Sequence, residues 1–335
     1  VLLPQPRRRI RAPLCLAAAL AFSLAALSAA APAAAADLRA AADAPRAPAA
    51  AQSPNAAEPA RRVVSLYPSL TAILLAIGAA DALVGVDAFS AQQQSLTGVA
   101  QVGGLYNPSV ERVLALRPDL VVAVPSVAQR GFLERLRDLN APLLELNPVS
   151  FEDVAASVET LGRRVGRSGA AGARANALRR ARRRAEALTR GRPPVPMLFV
   201  VERDPVFVAG PGSFLDDMLR AAGARNLAAS FKTPWPRVSR EWLIAAAPEL
   251  LLDSSPDPQP AARWWARWPS LPAVQRGRVV QLRSGEVTLP GPWLDRALLR
   301  IFEIVQGPEL AAALAAELPA AAQSPERAER AEPRR

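Results

Sequence analysis

Half of the 335 residues are hydrophobic, which excludes a disordered chain and suffices for two cores, since single cores stop growing near ~250–300 residues. There is no histidine, and no cysteine after Cys15. Ser-His-Asp and Cys-His nucleophile systems, zinc sites built on His or Cys, and His-ligated haem are therefore excluded. The formal charge of +11 is almost wholly arginine, Lys232 being the only lysine; with no recognition motif beside it, this charge does not make nucleic acid an expected partner.

The chain opens on a targeting segment. Arg7-Arg8-Arg9-Ile10-Arg11 is a charged start, 14–27 is an apolar stretch too short to span a membrane, and alanine-rich sequence follows. Cleavage is expected after Ala36, with Ala31 a second candidate. Cys15 lies inside the apolar stretch, which disfavours a lipid anchor, and the mature chain needs no disulfide. Residues 37–60 read as an Ala/Pro-rich linker.

From Arg61 short strands and helices alternate: strand 62–67, helix 70–77 ending at Gly78, strand 83–87, strand 118–124, helix 130–139 and strand 142–146. That alternation predicts a parallel sheet covered by helices. From Phe151 the period turns helical. Val154, Val158, Leu161 and Val165 form one apolar stripe, and 173–189 is a second, highly charged helix closed by Gly191 and Pro193-Pro194. The arginines of 179–184 read as its solvated face. Alternation resumes with strands 197–201 and 206–209, helix 214–222, strands 250–252 and 279–282, and helix 293–305. Beyond Pro308 a frayed tail is expected.

One layout occurs twice. Ser109-Val110-Glu111 and Ser239-Arg240-Glu241 each start a short apolar helix, followed by Pro, an acid and a buried-strand pattern. Such self-similarity predicts two related halves, each presenting a glutamate at the start of a surface helix. Serine is a favoured N-cap, and a carboxylate in the first turn complements the helix dipole. Trp235, between Pro234 and Pro236, is held in extended backbone. Tyr106 takes the corresponding place before the first glutamate, Phe89 follows the second strand, and Tyr67, ending the first, either lines a cleft or packs. Gly210-Pro211-Gly212-Ser213 reads as a loop and cap or a cleft-edge contact, Asp216-Asp217 as an exposed helix face, and at least two of Trp264, Trp265 and Trp268, spaced for a helix, as core.

Arg62-Val63-Val64-Ser65-Leu66 with Pro68-Ser69-Leu70-Thr71, Leu83-Val84-Gly85-Val86, the Val-Glu-Arg stretch 110–121, Pro234-Trp235-Pro236-Arg237-Val238-Ser239-Arg240-Glu241 and the stretch 271–279 carry a resemblance. Together they resemble the periplasmic substrate-binding proteins of cobalamin, haem and ferric-siderophore importers, with cobalamin the nearest match. The resemblance spans 61–307. It implies an α/β fold of two parallel-sheet lobes joined by a single long α-helix, a class III periplasmic binding protein. The expected division is signal peptide 1–36, linker 37–60, N-terminal lobe 61–167, connecting helix 168–192, C-terminal lobe 193–308 and disordered tail 309–335.

The same resemblance implies a periplasmic binding protein and not an enzyme, without cofactor or resident metal and monomeric when free. A corrinoid is the implied ligand in the cleft between lobes, and the permease and ATPase complex of an ABC transporter the implied partner. Trp235 maps onto a ring that contacts cobalamin, Phe89 onto a cleft aromatic and Tyr106 approximately onto a tryptophan. Tyr67 and Glu286 complete the candidate ligand contacts, while Glu111 and Glu241 map onto glutamates that dock on permease arginines. Two departures stand out: Val201-Glu202 replaces a Phe, and the loop Ser284-Gly285-Glu286-Val287-Thr288 lacks an expected Asp and Arg pairing. A haem or ferric-siderophore receptor is the alternative in this architecture, with Tyr67 and Tyr106 the only tyrosines able to ligate iron.

Overall fold

The first sheet is parallel throughout. Its strands are β1 (Val63–Ser65), β2 (Leu83–Val86), β3 (Ala100–Gln101), β4 (Leu120–Ala123) and β5 (Leu143–Glu145), in the order β3-β2-β1-β4-β5. The structure, a computed structural model, describes residues 58–92, 96, 98–283 and 287–318. The expected signal peptide, nearly all of the linker, and Glu286 lie outside the described residues. Every residue of β1 and β4 is buried, as expected of central parallel strands covered on both faces.

Three helices connect these strands: α1 (Pro68–Ala76), α2 (Val110–Ala115) and α3 (Arg130–Asp138). Pro68 opens α1 at a position where the missing N–H costs nothing. The chain then runs through α4 (Phe151–Arg164) and the 22-residue α5 (Ser168–Thr189) into the second sheet. A reciprocal capping box starts α4: Asp153 N donates to Ser150 Oγ at 3.1 Å and Ser150 N to Asp153 Oδ2 at 2.9 Å.

Small residues set the spacing of α4 and α5. A Cβ on Gly162 would lie 2.1 Å from the Ala171 Cβ, so the helices touch where only hydrogen fits. Ala171, Ala175 and Ala185 continue the close face along α5. The arginine run is not simply solvated. Arg179 bridges to Glu152 and Glu159 of α4, both at 2.6 Å, while Arg182 pairs with Glu186 at 2.9 Å.

The second sheet contains β6 (Val195–Arg203), β7 (Val206–Val208), β8 (Ala224–Asn226), β9 (Leu250–Asp253) and β10 (Val279–Gln281), in the order β10-β9-β6-β7 with β8 also on β6. It repeats the first topologically, the central β6 having β9 and then β10 on one side as β1 has β4 and β5. The departure is β7, which folds back antiparallel on β6 after the Asp204-Pro205 turn. Its helices are α6 (Phe214–Ala221), α7 (Arg240–Ala246), α8 (Ala261–Trp265), α9 (Pro272–Gln275) and α10 (Leu294–Gln306).

Residues expected to begin the tail instead form α11 (Pro308–Ala315), which buries Ala311 and Leu314 and packs on α10 and α5. Beyond it Glu317 pairs with Arg184 at 2.8 Å. The largest core cluster runs through α1, α4, α5, α6 and α10, so α5 is packed into both halves. Trp264 and Trp265 are core under the second sheet, as expected, with Trp268 partly buried beside them.

Candidate functional site

A cleft with a cavity volume of about 150 Å³ opens between the two lobes. The first lobe contributes loops just past strand ends: Tyr67 and Pro68 after β1, Val124 after β4, and Asn147, Pro148 and Val149 after β5. Open α/β sheets bind ligands at this edge, because the strand ends and the following helix starts leave backbone groups available there. From the second lobe come Ser213 and Phe214 at the start of α6, Pro234 and Trp235, and Thr288, Leu289 and Pro290 after β10. The lining is mainly apolar and is drawn from both halves.

Trp235 is positioned by backbone pairing. Val208 N donates to Pro236 O at 3.1 Å, Gly210 N to Pro234 O at 2.8 Å and Val238 N to Val206 O at 3.0 Å. The Pro-Trp-Pro strip thus lies antiparallel along β7, bridged at Phe207 and Arg237. Prolines lack an N–H but keep the carbonyl, so they serve here only as acceptors, which an edge segment permits. A Cβ on Gly210 would fall 2.4 Å from Thr233 O, and this approach therefore requires glycine. Trp235 is half-buried and meets Phe214 edge to face. Ser213 caps α6, accepting from Asp216 N at 3.1 Å, while its hydroxyl donates to Gly210 O at 2.8 Å. The loop holding Trp235 and the helix holding Phe214 are so fastened together.

Tyr67 lines the cleft as well. Burial pushes its phenol up to about 12, and the neighbouring Tyr106 and Asp87 add to the effect. Below it is a buried polar chain: Ser90 Oγ donates to Asp87 Oδ2 at 2.5 Å and Thr71 Oγ1 to Ser65 Oγ at 2.8 Å. Burial also raises the Asp87 carboxyl, against the opposing hydrogen bonds from Ser90 and Phe89 N–H.

The other ligand candidates sit differently. Phe89 is half-buried and Tyr106 is 39% exposed, and neither is in the cleft wall. The loop carrying Tyr106 is closed by a bridge between Gly103 and Pro108, and Gln129 Nε2 holds the Leu105 carbonyl, so Leu105 and not Tyr106 turns into the cleft. Glu286 lies outside the described residues. Phe214, Val149, Leu289 and Pro290 are cleft residues that sequence reasoning missed; their place just past strand ends was the available signal. Asp216 and Asp217, expected on an exposed face, are buried. Asn226 Nδ2 donates to Asp216 at 2.8 Å and Phe151 N to Asp217 at 2.9 Å.

Glu111 and Glu241 occupy identical local settings. Ser109 caps α2 by accepting from Arg112 N at 3.2 Å, and Ser239 caps α7 by accepting from Trp242 N at 3.1 Å. Each glutamate is the second residue of its helix and fully exposed, and each precedes the strand beside its sheet's central strand. Backbone N–H at the helix start, then the capping serine hydroxyl, hold both carboxyls below the usual range. Both are charged at neutral pH, and neither makes a salt bridge among the described residues. Among those residues, too, no group of three or more His, Cys, Asp or Glu could hold a metal, and no helix is long and apolar enough to cross a membrane.

Known proteins share this architecture. The vitamin B12-binding protein of Vibrio parahaemolyticus is 27% identical over 247 residues, 73% of this chain and 90% of the relative. The crystal structure of the periplasmic vitamin B12 binding protein BtuF of Vibrio cholerae superposes with a TM-score of 0.65 at 23% identity, covering 76% of this chain and 98% of that one. A periplasmic heme binding protein from Pseudomonas aeruginosa superposes at 0.60 with 27% identity, over 73% and 92% of the two chains. The sequence model of the periplasmic binding protein family matches residues 63–285, from the first strand of one lobe past the last strand of the other. The chain belongs to the periplasmic binding protein family.

Proposed function

We propose that this chain is the substrate-binding component of an ABC importer, exported to the periplasm, which captures a cobalamin-type corrinoid between its lobes and delivers it to the membrane permease. The observation that carries the reading is Trp235, pinned by β7 in the wall of an interlobe cleft. A large macrocycle offers flat and apolar edges to such a ring, and a preformed site lowers the ordering cost of binding. The vitamin B12-binding relative supports the same ligand class. Glu111 and Glu241, charged and outward on matching helices, are the proposed contacts with permease arginines. The chain needs no cofactor in this role, works as a monomer, and takes its energy from the partner ATPase. We further infer the division into lobes at 61–167 and 193–308 around the helix of 168–192.

Haem or a ferric siderophore is the second reading, favoured by the proximity of Tyr67 and Tyr106 and by the heme binding structural neighbour. Against it, an iron-bound phenolate at Tyr67 would work against a phenol already shifted to about 12. Purified protein mixed separately with cyanocobalamin, haem and a hydroxamate siderophore, then desalted, separates the two. Corrinoid absorbance retained with the protein is the expected result; retention of haem or siderophore alone would overturn it.

A further inference from the structure

On the second lobe, sharing no lining residue with the interlobe cleft, lies a second basin of about 450 Å³ lined by Arg203, Arg237, Arg240 and Arg267. Its walls come from three places. Arg203 ends β6 at the turn into β7, Arg237 lies on the strip paired with β7 that leads into Arg240 at the start of α7, and Arg267 follows α8. Asp204 is the one carboxylate in the lining, and it is exposed.

Arg203 forms the buried back of the basin. It is 1% exposed; its Nε donates to Asp253 Oδ2 at 2.9 Å and its Nη1 to Gln259 O at 2.6 Å, while its Nη2 is buried without an acceptor. Asp253 and, at 3.7 Å, Asp257 supply its counter-charge, and Asp253 also accepts from Trp265 Nε1 at 2.5 Å and Ser255 N at 3.0 Å. Trp264 is flanked by two of these cations, with Arg203 at 5.7 Å and Arg267 at 5.4 Å from its ring centroid. Among the described residues Arg237, Arg240 and Arg267 make no ion pair, although Arg240 lies beside Glu241 in sequence. Three exposed guanidiniums gathered at one basin without ion pairs repel one another, and an anion held among Arg237, Arg240 and Arg267 relieves that repulsion.

We propose that this basin is a second binding site, for an oxyanion of the phosphate class. The planar guanidinium fork matches two oxygens of such a group, and a cluster of forks favours a multiply charged oxyanion over chloride. The volume leaves room for an organic substituent, so free phosphate and a small phosphomonoester present the same recognised group. The site is independent of what the interlobe cleft carries.

The test is calorimetric titration of the purified protein with inorganic phosphate and with phenyl phosphate, at constant ionic strength against chloride. Saturable binding of either probe is expected, weakened about tenfold or more in the double variant Arg237→Gln/Arg267→Gln. Both replaced residues are exposed, so the variant should fold, and an unchanged thermal melt checks this. Binding confined to the phenyl ester would identify the organic phosphate as the source. No saturation by about 10 mM of either probe, or unchanged affinity in the folded double variant, would overturn the site.

Discussion

The rings of Phe214 and Trp235 meet edge to face, centroids 6.2 Å apart and planes inclined at 66°. One ring opens a helix and the other stands on a proline-braced edge segment, so the contact fixes Trp235 before any ligand arrives. Rigid aromatic anchors of this type dominate binding, commonly by ~2 kcal/mol or more on truncation. Trp235→Ala should therefore weaken cobalamin binding about tenfold or more, by isothermal titration. An unchanged affinity in a folded variant would remove Trp235 from the site.

Tyr67 offers a pH signature. Its phenol is raised from 10.0 to about 12 by burial, so the folded state keeps a proton that the unfolded chain releases. Stability from this group is fully present below pH about 10 and is lost as pH rises toward 12. The chain has two tyrosines, which makes the titration simple. Absorbance near 295 nm should show one phenol ionising only at the upper end of that window, and Tyr67→Phe should remove that component. A wild-type curve with both phenols titrating near 10 would contradict the burial of Tyr67.

Gly162 sets two effects against each other. In an exposed helix interior, Gly→Ala stabilises by up to about 1 kcal/mol. Here the new methyl would stand 2.1 Å from the Ala171 Cβ across the α4–α5 contact, and overpacking costs ~1–3 kcal/mol. The clash should win, and Gly162→Ala should lower the urea midpoint. The paired change Ala171→Gly should recover much of the loss, whereas a stabilised single variant would mean the helices separate easily.

The parts of the fold legible in the sequence are those whose cause is local. Leu120–Ala123 and Leu250–Asp253 are unbroken buried runs, and Ser109 and Ser239 announce their helices by capping chemistry. By contrast, β3 is two exposed residues and β8 only three, too short to carry a period. Asp216 and Asp217 are buried because Asn226 and Phe151, distant in sequence, supply their donors. Leu105 replaces Tyr106 in the cleft because of how one loop closes, and residue type does not encode that.

Docking is the last prediction. Glu111 and Glu241 share their cap, their helix position and their depressed carboxyl titration, one in each topologically equivalent half. A carboxylate serving only its own helix needs no counterpart in the other lobe. Two such groups, charged and exposed, are suited to meeting cations on a surface that spans both lobes. Charged contacts of this kind steer encounter and fix register more than they add affinity. The double variant Glu111→Ala/Glu241→Ala should therefore keep corrinoid binding by the free protein while losing delivery to the permease. The measurement is ligand uptake and ATPase stimulation in vesicles holding the transporter, beside titration calorimetry of the soluble variant. Raised ionic strength should slow delivery by the wild type and leave the residual rate of the variant nearly unchanged, since exposed charges are screened within ~10 Å at 0.1 M salt. Normal uptake by the double variant would reduce both glutamates to helix-start residues, and loss of ligand binding would put them on the cleft side.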